Sequence, residues 1–229
     1  MIRVLLILSL LHSSEDQYFE VEFLGIPTAD ISFNISDIIY NKKNSKLITV
    51  ETNSKNLSKY IFNIDNYYKT ITSENLQTIL SFDKKTYQPN VINHITTSII
   101  NDTVYYDESS ISIPHNYFNI FSLLYFLSQN KIINITSVNI EREGILYTGQ
   151  ITPINSFNDN KILYDLQLIK KVSLEKTPVI KNTDIFTWAL FREDSKREIL
   201  VDYNNNNIVE CTFKYGKIKM TAQNSKYFK

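Results

Sequence analysis

Two histidines beyond residue 14, one cysteine and scattered carboxylates are the groups with which this 229-residue chain could do chemistry. His94 and His115 stand far apart, with no Cys or carboxylate at the spacing a metal site needs, so both read as polar surface or edge residues and no metal is expected. Cys211 lies in a strand-like run and reads as a small buried hydrophobe rather than a nucleophile. No G-x-S-x-G elbow is present, and the four glycines form no phosphate-cradling loop. Two carboxylate pairs, Asp107-Glu108 and Glu193-Asp194, have the residue types for glycosidase-like acid/base work, which requires an apolar surround that raises one pKa over the other. Both pairs fall in turn-like stretches without that surround. The expectation is a non-enzymatic protein with no catalytic residue and no cofactor.

The elements that would position any site are strands. From Thr28 to Ser36 the chain alternates, with Ala29, Ile31, Phe33 and Ile35 on one face and Asp30, Ser32, Asn34 and Ser36 on the other, the signature of a half-buried strand. Gln17 to Leu24 repeats the pattern through Phe19, Val21 and Phe23, and Gly25-Ile26-Pro27 completes an opening hairpin. Further strands are expected at 47–52, 67–71, 78–83, 91–100, 103–107, 110–113, 132–142, 145–152, 161–171, 185–191, 198–203, 208–215 and 217–223. Turns are expected between them, among others at Asn41 to Ser45, Asp83-Lys84-Lys85, Asn101-Asp102, Glu143-Gly144 and Asn204 to Asn207. Asn replaces Gly in most of these turns, because its side chain tolerates the left-handed backbone region. Around Gly216 the apolar parity slips from Val209, Cys211, Phe213 and Tyr215 to Ile218, Met220 and Ala222, which fits either a β-bulge or a two-residue turn at Tyr215-Gly216.

One segment breaks the rhythm. Tyr117 to Gln129 is apolar and aromatic throughout and lacks Gly and Pro, which predicts a buried helix that plugs a barrel or covers a curved sheet. A short helical turn is expected around Lys55 to Lys59. The fold class is therefore all-β, an antiparallel barrel or strongly curved sheet with one buried helix, and residues 15–229 read as a single domain with a soft boundary at most around Leu174 to Asn182.

Residues 1–14 read differently. Met1-Ile2-Arg3 followed by the apolar run Val4 to Leu11 is the pattern of a secretory signal peptide, with cleavage expected near Ser13 or Ser14. The run is too short to span a bilayer, and a lipid anchor would require a Cys at this point. A single Cys makes no internal disulfide, so packing alone must hold the fold. The 24 basic and 24 acidic residues give zero formal charge, which argues against a nucleic-acid or anionic-membrane partner. The abundance of Ile (33) and Asn (25) reflects base composition more than function.

The segments Phe23-Leu24-Gly25-Ile26-Pro27-Thr28-Ala29, Tyr67-Tyr68-Lys69-Thr70-Ile71, Phe82-Asp83, Ile113-Pro114 with Ser122 to Leu127, Trp188-Ala189-Leu190 and Asp194-Ser195-Lys196-Arg197 occur in an order that resembles the exported bacterial domain-of-unknown-function family 3108. The resemblance implies a β-barrel or curved antiparallel sheet in the periplasm or outer envelope and supplies no activity.

The aromatic content, 15 Tyr, 13 Phe and one Trp, would either fill such a barrel or line a pocket in it. Phe33, Tyr164, Trp188 and Phe121 are the candidate lining residues, and Phe33, Ile31, Val21 and Trp188 are expected to be buried. The functions that remain are an envelope protein that binds another envelope protein, a glycan or an apolar small molecule such as a lipid, and an enzyme whose carboxylates meet only in the fold. A ligand held inside needs an enclosed apolar cavity of at least about 300 Å³. Integral insertion as an outer-membrane barrel is disfavoured, because strands such as Ser32 to Ser36 read as shorter than the roughly 9–11 residues of a spanning strand.

Overall fold

The computed structural model describes residues 15–55, 59, 63–107, 109–157, 160–171 and 179–228. The leader expected at residues 1–14 and Glu108 lie outside these, as does most of the turn expected around Lys55 to Lys59. The strands are β1 (Glu15–Phe23), β2 (Ile26–Tyr40), β3 (Lys43–Ser54), β4 (Asp65–Ser73), β5 (Ile79–Gln88), β6 (Val91–Ile100), β7 (Thr103–Tyr106), β8 (Ser112–Pro114), β9 (Thr136–Arg142), β10 (Ile145–Phe157), β11 (Lys161–Lys170), β12 (Lys196–Asp202), β13 (Asn207–Tyr215) and β14 (Ile218–Asn224). Helix α1 (Ile120–Gln129) joins β8 to β9, and α2 (Ile185–Leu190) precedes β12.

All fourteen strands form one sheet, antiparallel at every pairing, in the order β8-β7-β6-β5-β4-β3-β2-β1-β14-β13-β12-β11-β10-β9. Twelve inter-strand steps separate β7 from β9, which at ~4.8 Å per step would hold them roughly 58 Å apart in a flat sheet. The Tyr106 hydroxyl at the end of β7 nevertheless donates to the Glu141 carboxylate on β9. The sheet therefore curls until its ends meet. The backbone adds a short seam there, with Phe118 N–H donating to Asn139 O at 2.9 Å and Glu141 N–H to Phe118 O at 2.8 Å.

Period-two alternation places the core inside this curl. Ala29, Phe33 and Ile35 of β2 are buried and Ile31 is half-buried, while the opposite face carries Asp30, Ser32 and Asn34. Phe19 and Val21 of β1 point inward beside them. Replacing Phe33 by Ala is expected to cost about 3–5 kcal/mol in a urea titration, since the ring is 3 % exposed; a loss below about 1 kcal/mol would contradict its place in the core.

Helix α1 is the expected plug. Asn119 caps it, its Oδ1 accepting from Ser122 N–H at 2.9 Å while Ser122 Oγ accepts from Asn119 N–H at 3.1 Å. The Asn119 amide also donates to Thr70 Oγ1 at 2.8 Å, which fixes the helix start to β4. Leu123 and Leu127 are fully buried, and Phe121 packs on Tyr68 with ring centroids 4.8 Å apart.

The turns bear out the reading of Asn as a substitute for Gly. Asn41-Lys42, Asn101-Asp102 and Glu143-Gly144 each close a hairpin with positive φ at both residues, the conformation whose twist matches that of the flanking strands. The opening hairpin does the same one step earlier than expected, at Leu24-Gly25.

Several expectations are corrected. Asp83-Lys84-Lys85 is not a turn but the middle of β5, because Lys84 points inward and its charge is compensated there. The strand expected at 185–191 is helix α2, capped by Asp184, whose Oδ1 accepts from Thr187 N–H at 2.9 Å. The parity slip at Gly216 is no bulge: Tyr215 pairs with Ile218, Phe213 with Met220 and Cys211 with Ala222 across a two-residue turn at Gly216-Lys217. Ser32 to Ser36 is no short strand either, since β2 runs for 15 residues and β3 for 12.

Candidate functional site

Between the concave face of β12, β13, β14, β1, β2 and β3 and the two helices lies a largely apolar pocket of about 130 Å³, with Arg197 and Glu198 of β12 among its lining residues. Phe33 and Phe121 line it, together with Ile31, Phe186, Leu190 and Met220. Helix α2 turns Phe186, Thr187, Ala189 and Leu190 toward it, and Trp188 points the other way. The pocket volume falls short of the roughly 300 Å³ at which small-molecule sites begin.

Two expected lining residues are therefore elsewhere. Trp188 is 40 % exposed on the outer side of α2, under the Arg192 guanidinium at 5.2 Å, because the segment is helical and a strand parity no longer applies to it. Tyr164 is fully buried but serves as a strut: its hydroxyl sits 2.6 Å from that of Tyr203, and it accepts from Ile132 N–H at 3.2 Å. Tyr203 in turn donates to Leu127 O at 3.0 Å, which ties the end of α1 to the far wall. Cys211 does line the pocket, and burial pushes its thiol up to about 12, so it behaves as the hydrophobe the sequence suggested.

Behind the pocket lies a buried ionic cluster that periodicity did not reveal. Lys84 on β5 is 1 % exposed; its ammonium bonds Glu143 of the β9–β10 turn, Asp184 at 2.5 Å and Thr183 Oγ1 at 3.1 Å. Thr187 donates to Asp184 Oδ2 at 2.6 Å and Thr183 to Glu143 Oε1 at 2.7 Å, so the carboxylates are hydrogen-bonded as well as paired. Burial pushes the Asp184 carboxyl up, but the Lys84 charge and the bonds from Lys84 and Thr187 outweigh it and hold the group below its ordinary value. Burial likewise works against the Lys84 charge, and Asp184 and Glu143 more than restore it. The Arg142 guanidinium, 3.7 Å from Glu143, balances the remaining negative charge.

Beside this cluster Glu141 has Tyr106 as its hydrogen-bond partner, with Gly144 N–H at 3.5 Å. Burial is the main cause that pushes its carboxyl to about 7; the Tyr106 and Gly144 bonds and the Arg142 charge pull the other way. Gly144 is where this corner is tightest. Its φ is +84°, and a Cβ there would stand 2.7 Å from Ile111 Cγ2.

Glu141, Glu143 and Asp184 thus meet in the fold, as the enzymatic reading requires, and burial raises the Glu141 carboxyl to about 7. Each is 3 % exposed or less, however, and none lines the pocket; Tyr68 and Thr187 stand between. The cluster pins three distant elements, β5, the β9–β10 turn and α2. Of the pairs singled out from sequence, the described members Asp107, Glu193 and Asp194 do neither job. Asp107 accepts from Thr96 Oγ1 at 2.6 Å on the surface, and Glu193 and Asp194 are exposed. His94 is exposed and 3.1 Å from Asp83, and His115 Nδ1 is 2.6 Å from Asp102 O. Among the described residues, no three His, Cys, Asp or Glu side chains are grouped so as to hold a metal.

No protein-family model matches the chain, and no curated protein does. Among solved structures it is similar to a crystal structure of a beta-barrel-like protein of domain-of-unknown-function family DUF1849 from Brucella abortus. The TM-score is 0.49 at 6 % identity, over 91 % of this chain and 94 % of that one.

Proposed function

We propose that the chain is an exported protein of the bacterial periplasm or outer envelope, of the kind gathered in family 3108, that works without catalysis by binding another envelope protein at the mouth of the apolar pocket. One observation carries this reading: the pocket is lined chiefly by apolar side chains, with Arg197 and Glu198 as its charged members, while the carboxylate cluster of Glu141, Glu143 and Asp184 is sealed behind it. A cavity of this order accepts about one benzene-sized group, so the occupant is one apolar side chain of the partner rather than a whole lipid. Export is supported by the basic-apolar pattern of residues 1–14. No helix among the described residues is long and apolar enough to cross a membrane. The strands are long enough to do so, but the outward faces of β2, β4 and β5 carry Asp30, Asn34, Asp65, Lys69, Asp83 and Lys85, where a spanning barrel presents an apolar band.

Native mass spectrometry and N-terminal sequencing of the protein from its own envelope test both halves. The expected species begins near residue 14 or 15 and carries a protein partner. A chain still starting at Met1 in the cytosol refutes export, and a co-purifying lipid in place of a protein turns the reading to carriage. The pocket has its own test. Benzene is expected to perturb NMR signals of α1 and α2 in the parent protein and to leave Ala222→Leu unaffected, because the larger side chain occupies the space opposite Cys211.

A further inference from the structure

A second recess, of about 550 Å³, opens at the end of the barrel away from the β1–β2 hairpin, between the start of β1, the β12–β13 turn and the end of β14. Its walls mix polar and apolar surface: Gln17, Asn205, Asn206, Asn207 and Asn224 supply side-chain amides, and Tyr18 exposes 56 % of its surface at the rim. The walls are held in place. Asp202 accepts from Asn204 N–H, the Asn205 amide and the Tyr227 hydroxyl, each at 3.0 Å, which fixes the turn. Ser225 N–H donates to Tyr18 O at 2.7 Å and Lys226 N–H to Asn224 Oδ1 at 3.0 Å, which fixes the opposite side.

Gln17 supplies the second, independent sign. It is 3 % exposed, and its Oε1 accepts from Ile208 N–H at 3.0 Å and from the Asn224 amide at 3.3 Å, but its Nε2 has no partner. A buried donor left unpaired costs about 1–3 kcal/mol, so its persistence in the wall of a recess points to a group that arrives from outside.

We propose that this recess binds a neutral saccharide. A side-chain amide both donates and accepts, as a sugar hydroxyl does, so a wall of amides matches a ligand dense in hydroxyls. The Tyr18 ring offers a flat apolar face to the C–H side of a pyranose. Glu15, Asp16 and Lys226 on the rim leave it net negative, which disfavours phosphates and other anions, and the five amides would be desolvated unpaired by a wholly apolar ligand. The volume lies within the 300–1,000 Å³ usual for small-molecule sites.

Saturation-transfer NMR with maltotriose, cellotriose and chitotriose on the full chain tests the site. At least one trisaccharide is expected to show transfer, with Tyr18→Ala weakening the affinity about tenfold, Tyr18→Phe retaining it and Gln17→Leu reducing it. Thermal melts of the two Tyr18 variants are expected to match the parent, since the ring is exposed. Absence of transfer from all three sugars overturns the proposal, as does a change under about threefold in Tyr18→Ala.

Discussion

Lys84→Met is expected to lower the unfolding free energy by about 3–5 kcal/mol, the range for removing one partner of a buried ion pair. The substitution keeps the length of the side chain but leaves Glu143 and Asp184, both 3 % exposed or less, facing each other with their main counter-charge gone. Most of the loss comes from the uncompensated carboxylates, not from an attraction forgone. The triple variant Lys84→Met, Glu143→Gln, Asp184→Asn removes the buried ammonium and both carboxylates it pairs, leaving only the Arg142 guanidinium, which keeps some solvent contact, and it should recover more than half of the deficit. Urea titrations of the two variants measure this. A loss below 1 kcal/mol for the single change would mean that the cluster does not close the barrel, and a triple variant worse than the single would place the stability in the attraction itself.

What was legible in the sequence was whatever depends on neighbours close along the chain. Phe33, Val21 and Phe19 declare their face through alternation within a single strand, and the Asn-rich hairpins declare theirs through two residues. Lys84 was misread because its partners lie 59 and 100 residues away, so locally a Lys-Lys pair after Asp looks like a solvated turn. Trp188 was misread for a related reason. Ile185 to Phe191 has strand-like composition, and the capping signal of Asp184 with Thr187, which makes the segment helical, weighs less in a count of β-branched and aromatic residues than it does in the backbone. The pocket was half legible. Phe33 and Phe121 were identified by their apolar surroundings, whereas Phe186 and Leu190 reach the same cavity only through the helix the sequence reading did not foresee.

Glu141 gives the protein a stability profile that declines toward neutral pH. Its carboxyl sits at about 7 in the fold against 4.5 when unfolded, so between these values the folded state holds a proton that the unfolded chain has released. The stabilisation is complete below pH 4.5 and lost as pH rises through about 7; at 1.36 kcal/mol per pH unit the difference is about 3 kcal/mol. Asp184, Glu198 and Asp202 act in the opposite sense. Their folded pKa values are depressed, so their contributions are present above the unfolded values and fade as pH falls below about 4. Maximum stability is therefore expected between about pH 4 and 5, on the acid side of where most domains have it. Glu141→Gln keeps an acceptor for the Tyr106 hydroxyl and removes the titration, so its unfolding free energy should stay level from pH 4.5 to 7 while that of the parent falls. Equal slopes for the two proteins across that range would show that the seam between β7 and β9 is wet enough to keep Glu141 at its ordinary pKa. The same titration makes that seam a place where neutral pH acts on the barrel, because the Tyr106 hydroxyl reaches β9 through the carboxyl that ionises.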